Sequence, residues 1–404
     1  MIRVLILSPR QCWPAQSGAK LRDYYFARAL GRRASVSYAY FIDPGSAPLS
    51  KTELPFCSHI VGVPKPRAYT PLKIARGLTG RWPLPVLNYT SREMLEAVTD
   101  LARRERYDLV HLDSVQMMGY VDALQGALGS ALPIVYNWHN IESELMRRYS
   151  AVIKALPRRL YSAWTVRQLE RLEQSILRTG FGHVVCSDRE QRELHKIAPA
   201  ARIAVIPNGV DTAYFAEAGP PGRRHRIVFV GLMGYYPNIE AAVSFTHNIW
   251  PQLRKHLPGY TLTFVGANPV PAVTALRNVP GVEVTGTVPD VRPYYREALA
   301  AIIPLRTGGG TRLKILEAMA AGVPVVSTVL GAEGLSVEPG KNILLADVDD
   351  GESWLRALTG LAESESRRLE LTSAALHLVR DEYDWTSLGE SLYELYAEWL
   401  GKAG

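Results

Sequence analysis

Short runs of β-branched and aromatic residues alternate with longer helical segments along the whole chain, and this alternation restricts the fold more than any other feature. It is typical of parallel strands connected by crossover helices. The runs form two series, separated by a segment rich in Gly, Pro and Arg at residues 216–224. We therefore predict two α/β domains, each with a Rossmann-like, doubly wound parallel sheet, which also agrees with a length of 404 residues.

The domain boundaries follow from the positions of these runs. The first domain is predicted at residues 1–217 and the second at 223–385. Apolar side chains recur at helical spacing within residues 386–404, which predicts a C-terminal helix packing back across the first domain. The strands of the first series are predicted at 2–7, 36–41, 59–63, 109–112, 134–137, 183–186 and 203–206. Those of the second series are predicted at 227–230, 261–265, 282–285, 301–304, 323–326 and 343–345.

Composition and charge narrow the class of protein. Three widely spaced cysteines fit neither a disulfide framework nor a zinc site. No apolar run approaches the roughly 20 residues of a membrane span, and the first strand follows Met1 directly, so we expect a cytoplasmic protein. Residues 1–217 carry 29 Lys and Arg against 19 Asp and Glu. Much of this excess lies in residues 147–178, which we interpret either as a solvated helix face or as a peripheral contact with an anionic membrane, with no nucleic-acid partner.

A glycine-rich segment after the strand at 301–304 carries the clearest chemical signal. Gly308, Gly309 and Gly310 let backbone N–H groups approach a ligand, and a helix predicted to begin at about Thr311 adds partial positive charge. Arg312 and Lys314 add two full charges. Each gains about 4 kcal/mol against one phosphate charge at about 4 Å and an effective dielectric near 20. The pattern predicts an anion site in which side-chain cations dominate the binding of a diphosphate.

Glu317 lies three residues after Lys314 on the same face of that helix. A carboxylate repels phosphate but accepts hydrogen bonds from two ribose hydroxyls, which favours a nucleoside diphosphate. On spacing alone, a plain glycine turn before a helix with a capping or solvated Glu317 stays open. Neither G-x-G-x-x-G after the first strand nor a P-loop motif occurs, which disfavours dinucleotide and P-loop enzymes. The acidic segment 347–349 lies in a loop, so no metal site is predicted there.

Several segments resemble the retaining glycosyltransferases of family 4, which have the GT-B fold of two Rossmann-like domains facing a central cleft. LEAMAAGVP at 316–324 looks like the end of the E-x7-E motif of that family. GVEVTGTV at 281–288 is similar to its base-contacting segment, and IPNGVD at 206–211 to its signature at the end of the first domain. Bacterial enzymes of exopolysaccharide assembly also share the YPN pattern at 236–238.

The resemblance implies an activity and a set of site residues. The activity is transfer of a sugar from a UDP- or GDP-sugar to the hydroxyl of a sugar or lipid-linked acceptor, with retention and without a metal or other cofactor, in polysaccharide or glycoconjugate biosynthesis. His139, Arg312 and Lys314 are the expected catalytic residues, with His139 against the transferred sugar and Glu142 as a weaker candidate. The expected donor-binding residues are Gly18, Lys20, Arg22, Val288, Gly308, Gly309, Gly310, Thr311, Leu313 and Glu317.

The chain also departs from the family pattern at three positions. The first Glu of E-x7-E falls at Gly309, and the Arg and Lys that follow the first strand of the second domain fall at about Leu232 and Asn238. We infer that Arg312 and Lys314 have taken over charge neutralisation. The departures leave open a weak or altered donor site. A hydrolysing nucleotide-sugar 2-epimerase, which resembles the same two-domain architecture, stays open as well. Gly309 and the basic region at 147–178 also leave open a non-catalytic nucleotide-sugar-binding protein.

Overall fold

The computed structural model describes residues 1–15, 17–152, 155–217, 224–308 and 312–402. The chain divides into unit 1, which comprises Met1–Pro207 and Leu388–Gly404, and unit 2, which comprises Asn208–Ser387. Residues 208–217, which the sequence analysis assigns to the first domain, belong here to unit 2. Val210 forms a β-bridge with Asp384, and the Phe215 side chain is buried in the unit 2 core.

Unit 1 contains a parallel sheet whose inner strands are buried on both faces. Its strands read as almost continuous apolar runs because helices cover the two faces. Within the described residues the sheet has seven strands, in the order β3-β2-β1-β4-β5-β6-β7. They are β1 (Arg3–Ser8), β2 (Ser35–Ile42), β3 (His59–Pro64), β4 (Leu109–Asp113), β5 (Ile134–Asn137), β6 (Gly182–Val185) and β7 (Ile203–Val205). The chain order reverses between β1 and β4, and such a switch point is where open α/β sheets bind ligands, at the carboxyl ends of the strands.

Local sequence signals position the helices of unit 1. Ser187 accepts a hydrogen bond from the Glu190 backbone N–H while the Glu190 carboxylate accepts one from the Cys186 N–H, so the last helix of this group begins with reciprocal caps. The three cysteines of the chain are buried and free. The helices are α1 (Gly18–Arg33), α2 (Pro71–Thr79), α3 (Leu84–Leu87), α4 (Arg92–Arg104), α5 (Val121–Leu128), α6 (Glu142–Val152), α7 (Leu156–Thr179) and α8 (Asp188–Ile197).

Unit 2 repeats the arrangement with a parallel sheet whose order is β10-β9-β8-β11-β12-β13 in the described part of the chain. Its strands are β8 (Arg226–Val230), β9 (Thr261–Val265), β10 (Val282–Val284), β11 (Ala298–Ile303), β12 (Val325–Ser327) and β13 (Leu344–Leu345). The switch point lies between β8 and β11. β12 begins later than predicted because the Val323 N–H donates to the Ala318 carbonyl at a helix end and Pro324 has no N–H.

The helices of unit 2 enclose this sheet and a core centred on Phe229, Phe264 and Trp354. The helix predicted to begin at about Thr311 begins at Leu313, with Arg312 at its N-cap position. Among the helices that the structure describes, none is both long and apolar enough to cross a membrane. The helices are α9 (Thr212–Ala216), α10 (Tyr236–Asn248), α11 (Trp250–His256), α12 (Pro271–Thr274), α13 (Arg292–Arg296), α14 (Leu313–Ala320), α15 (Gly351–Glu363), α16 (Glu365–Glu382) and α17 (Trp385–Trp399).

Most of α17 belongs to unit 1, although it follows unit 2 in the chain. Leu392 and Tyr396 are fully buried. The Tyr396 hydroxyl lies 2.5 Å from His111 Nδ1. A Cβ atom added to Gly389 would lie 2.0 Å from Ala29 Cβ, so only glycine allows this approach of α17 to α1. The C-terminal segment therefore completes the core of unit 1.

Candidate active site

A charged cluster lies at the switch point of the unit 2 sheet, after the carboxyl ends of β8 and β11. The Lys314 ammonium donates to Asn238 Oδ1 at 2.6 Å. It also lies 4.6 Å from the centroid of the Phe229 ring, at the end of β8. Burial lowers the pKa of Lys314 to about 7, and the nearby charge of Arg312 adds to this shift.

Arg312 fixes the loop that precedes α14. Its side chain is almost entirely buried, and Nη2 donates to the carbonyls of Gly308 at 3.2 Å and Leu330 at 3.1 Å. Gly308 has a φ of +112°, which only glycine adopts without strain, and an added Cβ would lie 3.1 Å from Pro237 Cγ. The loop therefore lies against the first turn of α10. Gly309, Gly310 and Thr311 lie outside the described residues.

Glu317 lies one turn beyond Lys314 on α14 and is partly buried. Burial raises the pKa of the Glu317 carboxyl to about 7, although the charge of Lys314 opposes the shift. No described residue hydrogen bonds to this carboxylate, whereas the Lys314 ammonium is already bonded to Asn238. The structure thus places Arg312, Lys314 and Glu317 close together, at the N-cap and in the first turns of one short helix. The pKa of the acid, Glu317, is raised, and the pKa of the base, Lys314, is lowered.

The two other predicted donor residues of unit 2 that the structure describes are Leu313 and Val288. Leu313 is the first residue of α14 and packs against the unit 2 core. Val288 lies in the loop after β10, which is separated from β8 by β9 in the sheet order. In the acidic segment 347–349, Asp349 forms an ion pair with Arg306 at 2.5 Å. That carboxylate therefore already has a cationic partner.

Unit 1 contains a second charged cluster at its own switch point, formed by Arg10, Asp23, Asp113 and His139. His139 Nε2 lies 2.7 Å from Asp113 Oδ1 and 3.4 Å from Asp23 Oδ1. Arg10 Nη1 lies 3.1 Å from Asp113 Oδ2 and 3.4 Å from Asp23 Oδ2. Both carboxylates are inaccessible to solvent. Two cations therefore surround two buried carboxylates after the ends of β1, β4 and β5.

The protonation states of these four groups depend on one another. Burial tends to raise the pKa of Asp113, but the charges of His139 and Arg10 hold it well below its usual range. Burial and the charge of Asp113 raise the pKa of Asp23. Burial tends to lower the pKa of His139, yet attraction to Asp113 raises it overall. The cluster is electrically neutral when His139 is protonated, which is the state that the two carboxylates favour.

The other candidate donor residues of unit 1 lie on α1. Gly18 is the first residue of α1, and the partly exposed Lys20 forms an ion pair with Asp43 at 2.5 Å. Arg22 is fully buried and donates to Asn137 Oδ1 at 3.0 Å and to the Ile206 carbonyl at 2.8 Å. Through Asn137, which donates to Asp113 at 2.7 Å, Arg22 supports the cluster from inside the unit.

Asp23, Asp113 and His139 also have their potential metal-ligating atoms within 4.8 Å of one another. Arg10 contacts both carboxylates and lies 3.1 Å from His139 Nε2. Its guanidinium supplies the positive charge that a divalent cation would bring to the same oxygens. The donor set of this cluster is therefore already neutralised by a side chain, and these residues fit a metal ion poorly.

Arg10, Asp23 and Asp113 belong to this cluster but are not among the site residues predicted from the sequence. A signal existed for Asp113, because it directly follows the buried apolar residues of a predicted strand and is therefore placed at the carboxyl edge of the sheet. Arg10 follows the first strand in the same way. Asp23 carried no such signal, since it lies within a helix whose orientation only the fold determines.

Each unit has a doubly wound parallel sheet with a charged cluster at its carboxyl edge, an arrangement that agrees with the GT-B class of glycosyltransferase folds. Two family models match the chain: Glycosyltransferase Family 4 at residues 24–214 and Glycosyl transferases group 1 at residues 224–364. The chain belongs to glycosyltransferase family 4, and the predicted family and fold class are confirmed.

Curated relatives and solved structures agree with this placement. The chain is 25% identical over 245 residues to glycogen synthase of Mycobacterium tuberculosis, which is 57% of either chain. It is 28% identical over 202 residues to the phosphatidyl-myo-inositol mannosyltransferase of Mycolicibacterium smegmatis, 47% of this chain and 50% of the relative. The chain thus spans little more than half the length of the curated relatives that it matches.

The solved structures concern the fold, because their sequence identities are low. Sucrose-phosphate synthase from Thermosynechococcus elongatus superposes with a TM-score of 0.68 at 17% identity, covering 99% of this chain and all of that one. Anabaena HepE, solved in complex with UDP and glucose, superposes with a TM-score of 0.64 at 16% identity, covering 98% and 100%.

Proposed function

We propose that the chain is a glycosyltransferase that moves a sugar from a nucleoside diphosphate sugar to an acceptor hydroxyl with retention of anomeric configuration and without a metal ion. The observation that carries the proposal is the cluster of Arg312, Lys314 and Glu317 at the unit 2 switch point. HepE was solved with UDP, and the mycobacterial relatives are named for glycogen synthesis and mannosyl transfer. These relatives support a role in polysaccharide or glycoconjugate biosynthesis.

The position of Lys314 supports the inference that it replaces a missing cation. Relatives carry a basic residue at about the position of Asn238, and the Lys314 ammonium lies 2.6 Å from the Asn238 side chain. A different element, α14, therefore delivers positive charge to the equivalent place. A diphosphate bound there raises the pKa of Lys314, so the ammonium form dominates in the complex. Glu317, one turn deeper, is placed to accept hydrogen bonds from ribose hydroxyls.

The reaction that we propose needs no nucleophile from the protein. The bond between the anomeric carbon and the β-phosphate oxygen breaks, and the acceptor oxygen bonds to the same face of that carbon. The acceptor proton passes to the departing phosphate oxygen, which leaves a nucleoside diphosphate and the glycoside. Arg312 and Lys314 stabilise the negative charge that grows on the leaving group.

We assign the unit 1 cluster to the sugar and the acceptor. His139 presents an imidazole whose Nε2 lies 2.7 Å from Asp113 Oδ1, a contact that fixes the ring orientation. Arg10 completes the charge balance of the same cluster. Gly18 and Lys20, at the start of α1, are proposed as donor-binding residues, with Arg22 as an internal support.

Donor turnover by substituted proteins tests the assignment of the donor site. We expect Glu317→Ala and Lys314→Met each to lower kcat/KM for the preferred donor by about tenfold to a hundredfold, because each loses a charge-assisted interaction of about 1.5 to 3 kcal/mol. The matched control is Lys255→Met, which removes an exposed lysine on α11 of the same unit. The measurement is release of nucleoside diphosphate from a panel of UDP- and GDP-sugars, with and without candidate acceptors.

Product analysis separates the alternatives to transfer. NMR of the product is expected to show the anomeric configuration of the donor. A free sugar epimerised at C2, formed without any acceptor, would identify an epimerase instead. Tight nucleotide binding with neither transfer nor hydrolysis would identify a binding protein. Wild-type rates in both Glu317→Ala and Lys314→Met would disprove the site.

We also propose that unit 1 contacts an anionic membrane surface. Leu156 and Leu160 on α7 are 65% and 63% exposed, and Tyr149 on α6 is 61% exposed. Arg158 and Arg159 lie between the two leucines in sequence and are exposed as well. Exposed apolar side chains interleaved with arginine are typical of interfacial helices. Lys154, within the predicted 147–178 region, lies outside the described residues.

A further inference from the structure

Unit 2 contains a cavity of about 240 Å³ on the edge of the sheet opposite to the proposed donor site. Arg224 precedes β8, Ala298 begins β11 and Val323 precedes β12, and all three line the cavity. It therefore lies at the amino ends of the strands. The loop with Gly308 and Arg312 follows the carboxyl end of β11, whose six residues span about 20 Å. The cavity is thus separate from the donor site.

Three arginines, Arg224, Arg296 and Arg380, line this cavity, and no acidic residue does. None of the three forms an ion pair with a described residue. Arg224 interacts electrostatically with Glu365, but the opposing charge of Arg368 offsets this attraction. Such a concentration of unpaired positive charge is unusual in the half of the chain after residue 217, which carries 17 Lys and Arg against 20 Asp and Glu.

The Arg224 side chain gives an independent indication of a ligand. Its Nη1 atom is buried and has no hydrogen-bond acceptor among the described residues. A buried guanidinium N–H without an acceptor costs about 1 to 3 kcal/mol or more, so such groups are rare unless a ligand or water satisfies them. Burial also lowers the pKa of Arg224, as expected for a cation that lacks a paired anion.

The other residues that line the cavity favour a small anion with an apolar or neutral substituent. Apolar surface comes from Phe215 and Leu376, from Ala320 at the end of α14, and from Ala321 directly after it. The carboxyl end of α14 contributes a partial negative charge of about half a unit, which offsets only a fraction of three full positive charges. Guanidinium groups match the oxygens of phosphate with paired hydrogen bonds.

We propose that this arginine cavity, formed around Arg224, Arg296 and Arg380, binds a phosphate group and is a second anion site distinct from the donor site. The ligand is either a soluble phosphate monoester or inorganic phosphate, or the phosphate headgroup of a lipid. The chemistry of recognition is the same for each: three guanidinium groups neutralise a dianion, and one of them gains the acceptor that it lacks.

Binding of inorganic phosphate to the full-length protein tests the proposal. The probe is titrated at constant ionic strength and followed by ³¹P NMR and by the thermal unfolding midpoint, with saturating UDP or GDP present to occupy the donor site. We expect saturable binding to the wild type. In Arg296→Gln/Arg380→Gln, which changes two exposed side chains, binding should be at least about tenfold weaker because two charge-assisted donors are lost.

The matched control is Arg254→Gln/Lys255→Gln, which removes two exposed charges from α11 of the same unit without touching the cavity. Binding to this control should equal that of the wild type. A parallel assay measures sedimentation with vesicles of phosphatidic acid and of phosphatidylcholine. Saturable binding of free phosphate identifies a soluble ligand, and binding confined to phosphatidic acid and lost in Arg296→Gln/Arg380→Gln identifies a lipid headgroup. If neither assay shows binding that depends on these arginines, the proposal is wrong.

Discussion

At the scale of single residues, Lys314 and Glu317 show how burial converts ordinary side chains into groups that titrate near neutrality. Burial moves the pKa of the lysine down and that of the glutamate up, to about 7 in both cases. Because the two groups interact, the pKa values that an experiment observes describe the pair and not either residue alone. A bound nucleoside diphosphate favours the charged form of each, since its phosphates attract the ammonium and its ribose hydroxyls donate to the carboxylate.

This pairing predicts a bell-shaped pH dependence of nucleotide affinity with its maximum near 7. Above the maximum the ammonium of Lys314 is lost, and below it the carboxylate of Glu317 is protonated, so affinity falls on each side by up to about tenfold per pH unit. Calorimetric titration of UDP and GDP across this range measures the profile.

Two substitutions separate the limbs of that profile. In Lys314→Arg the side chain stays charged at all these pH values. The nucleotide affinity should therefore no longer decline at high pH, but it should still decline at low pH. In Glu317→Gln the side chain cannot ionise, so the decline in nucleotide affinity that Glu317 causes at low pH should be lost while the decline at high pH remains. Lys314→Met removes the ammonium group altogether, so it too should lose the decline at high pH while keeping the decline caused by Glu317 at low pH. An identical profile in all four proteins would contradict the assignment of both groups.

At the scale of secondary-structure elements, α17 is the segment whose position depends most on distant parts of the chain. It lies at the end of the sequence, yet its buried Tyr396 pairs with His111 at 2.5 Å in the middle of the unit 1 sheet. Burial lowers the pKa of His111 to about 4, so the imidazole is neutral and needs a hydrogen-bond partner at neutral pH.

Removal of one hydroxyl tests how much this contact stabilises unit 1. We expect Tyr396→Phe to lower the free energy of unfolding by about 1 to 3 kcal/mol, because it leaves a buried imidazole nitrogen without its partner. The matched control is Tyr393→Phe on the same helix, where the ring stacks on Arg33 and stays in place. Urea unfolding followed by circular dichroism measures the difference. Equal midpoints for the two variants would show that the hydrogen bond contributes little.

At the scale of the whole molecule, the uneven charge distribution has a consequence for location. The basic, partly apolar surface on α6 and α7 belongs to unit 1, which contains most of the positive excess. We expect the protein to sediment with phosphatidylglycerol vesicles. Arg158→Gln/Arg159→Gln should weaken this by more than tenfold, since each charge near an anionic surface contributes about 1 kcal/mol.

The contribution of apolar side chains to binding of phosphatidylglycerol vesicles is tested separately. Leu156→Ser/Leu160→Ser should weaken binding at least as much, because two leucines leave the interface. Leu369→Ser serves as the control, because Leu369 is 57% exposed but lies in unit 2 on α16. Equal sedimentation of all variants, or equal binding to phosphatidylcholine, would argue that the basic stretch is simply a solvated helix face.

Much of the fold was predictable because its signals are local. The strand predicted at 134–137 has these exact bounds, and the one predicted at 261–265 does too. The glycine loop and the basic start of α14 were equally visible, since Gly308, Arg312 and Lys314 lie close in sequence. The unit 1 cluster was not, because Arg10 and His139 are 129 residues apart and meet only when β1, β4 and β5 pair.

The order of apolar and polar residues along the chain was enough to specify strands, helices and the α/β class, because those depend on periodicities of two and 3.6 residues. Only the folded chain decided which charges became neighbours and how they titrate. Side chains remote in sequence are brought together by strand pairing, and burial then removes the water that would otherwise screen them. Strand pairing assembles the four-residue cluster of unit 1 and the arginine cavity, whereas burial moves the pKa values of Lys314 and Glu317 in unit 2 to about 7.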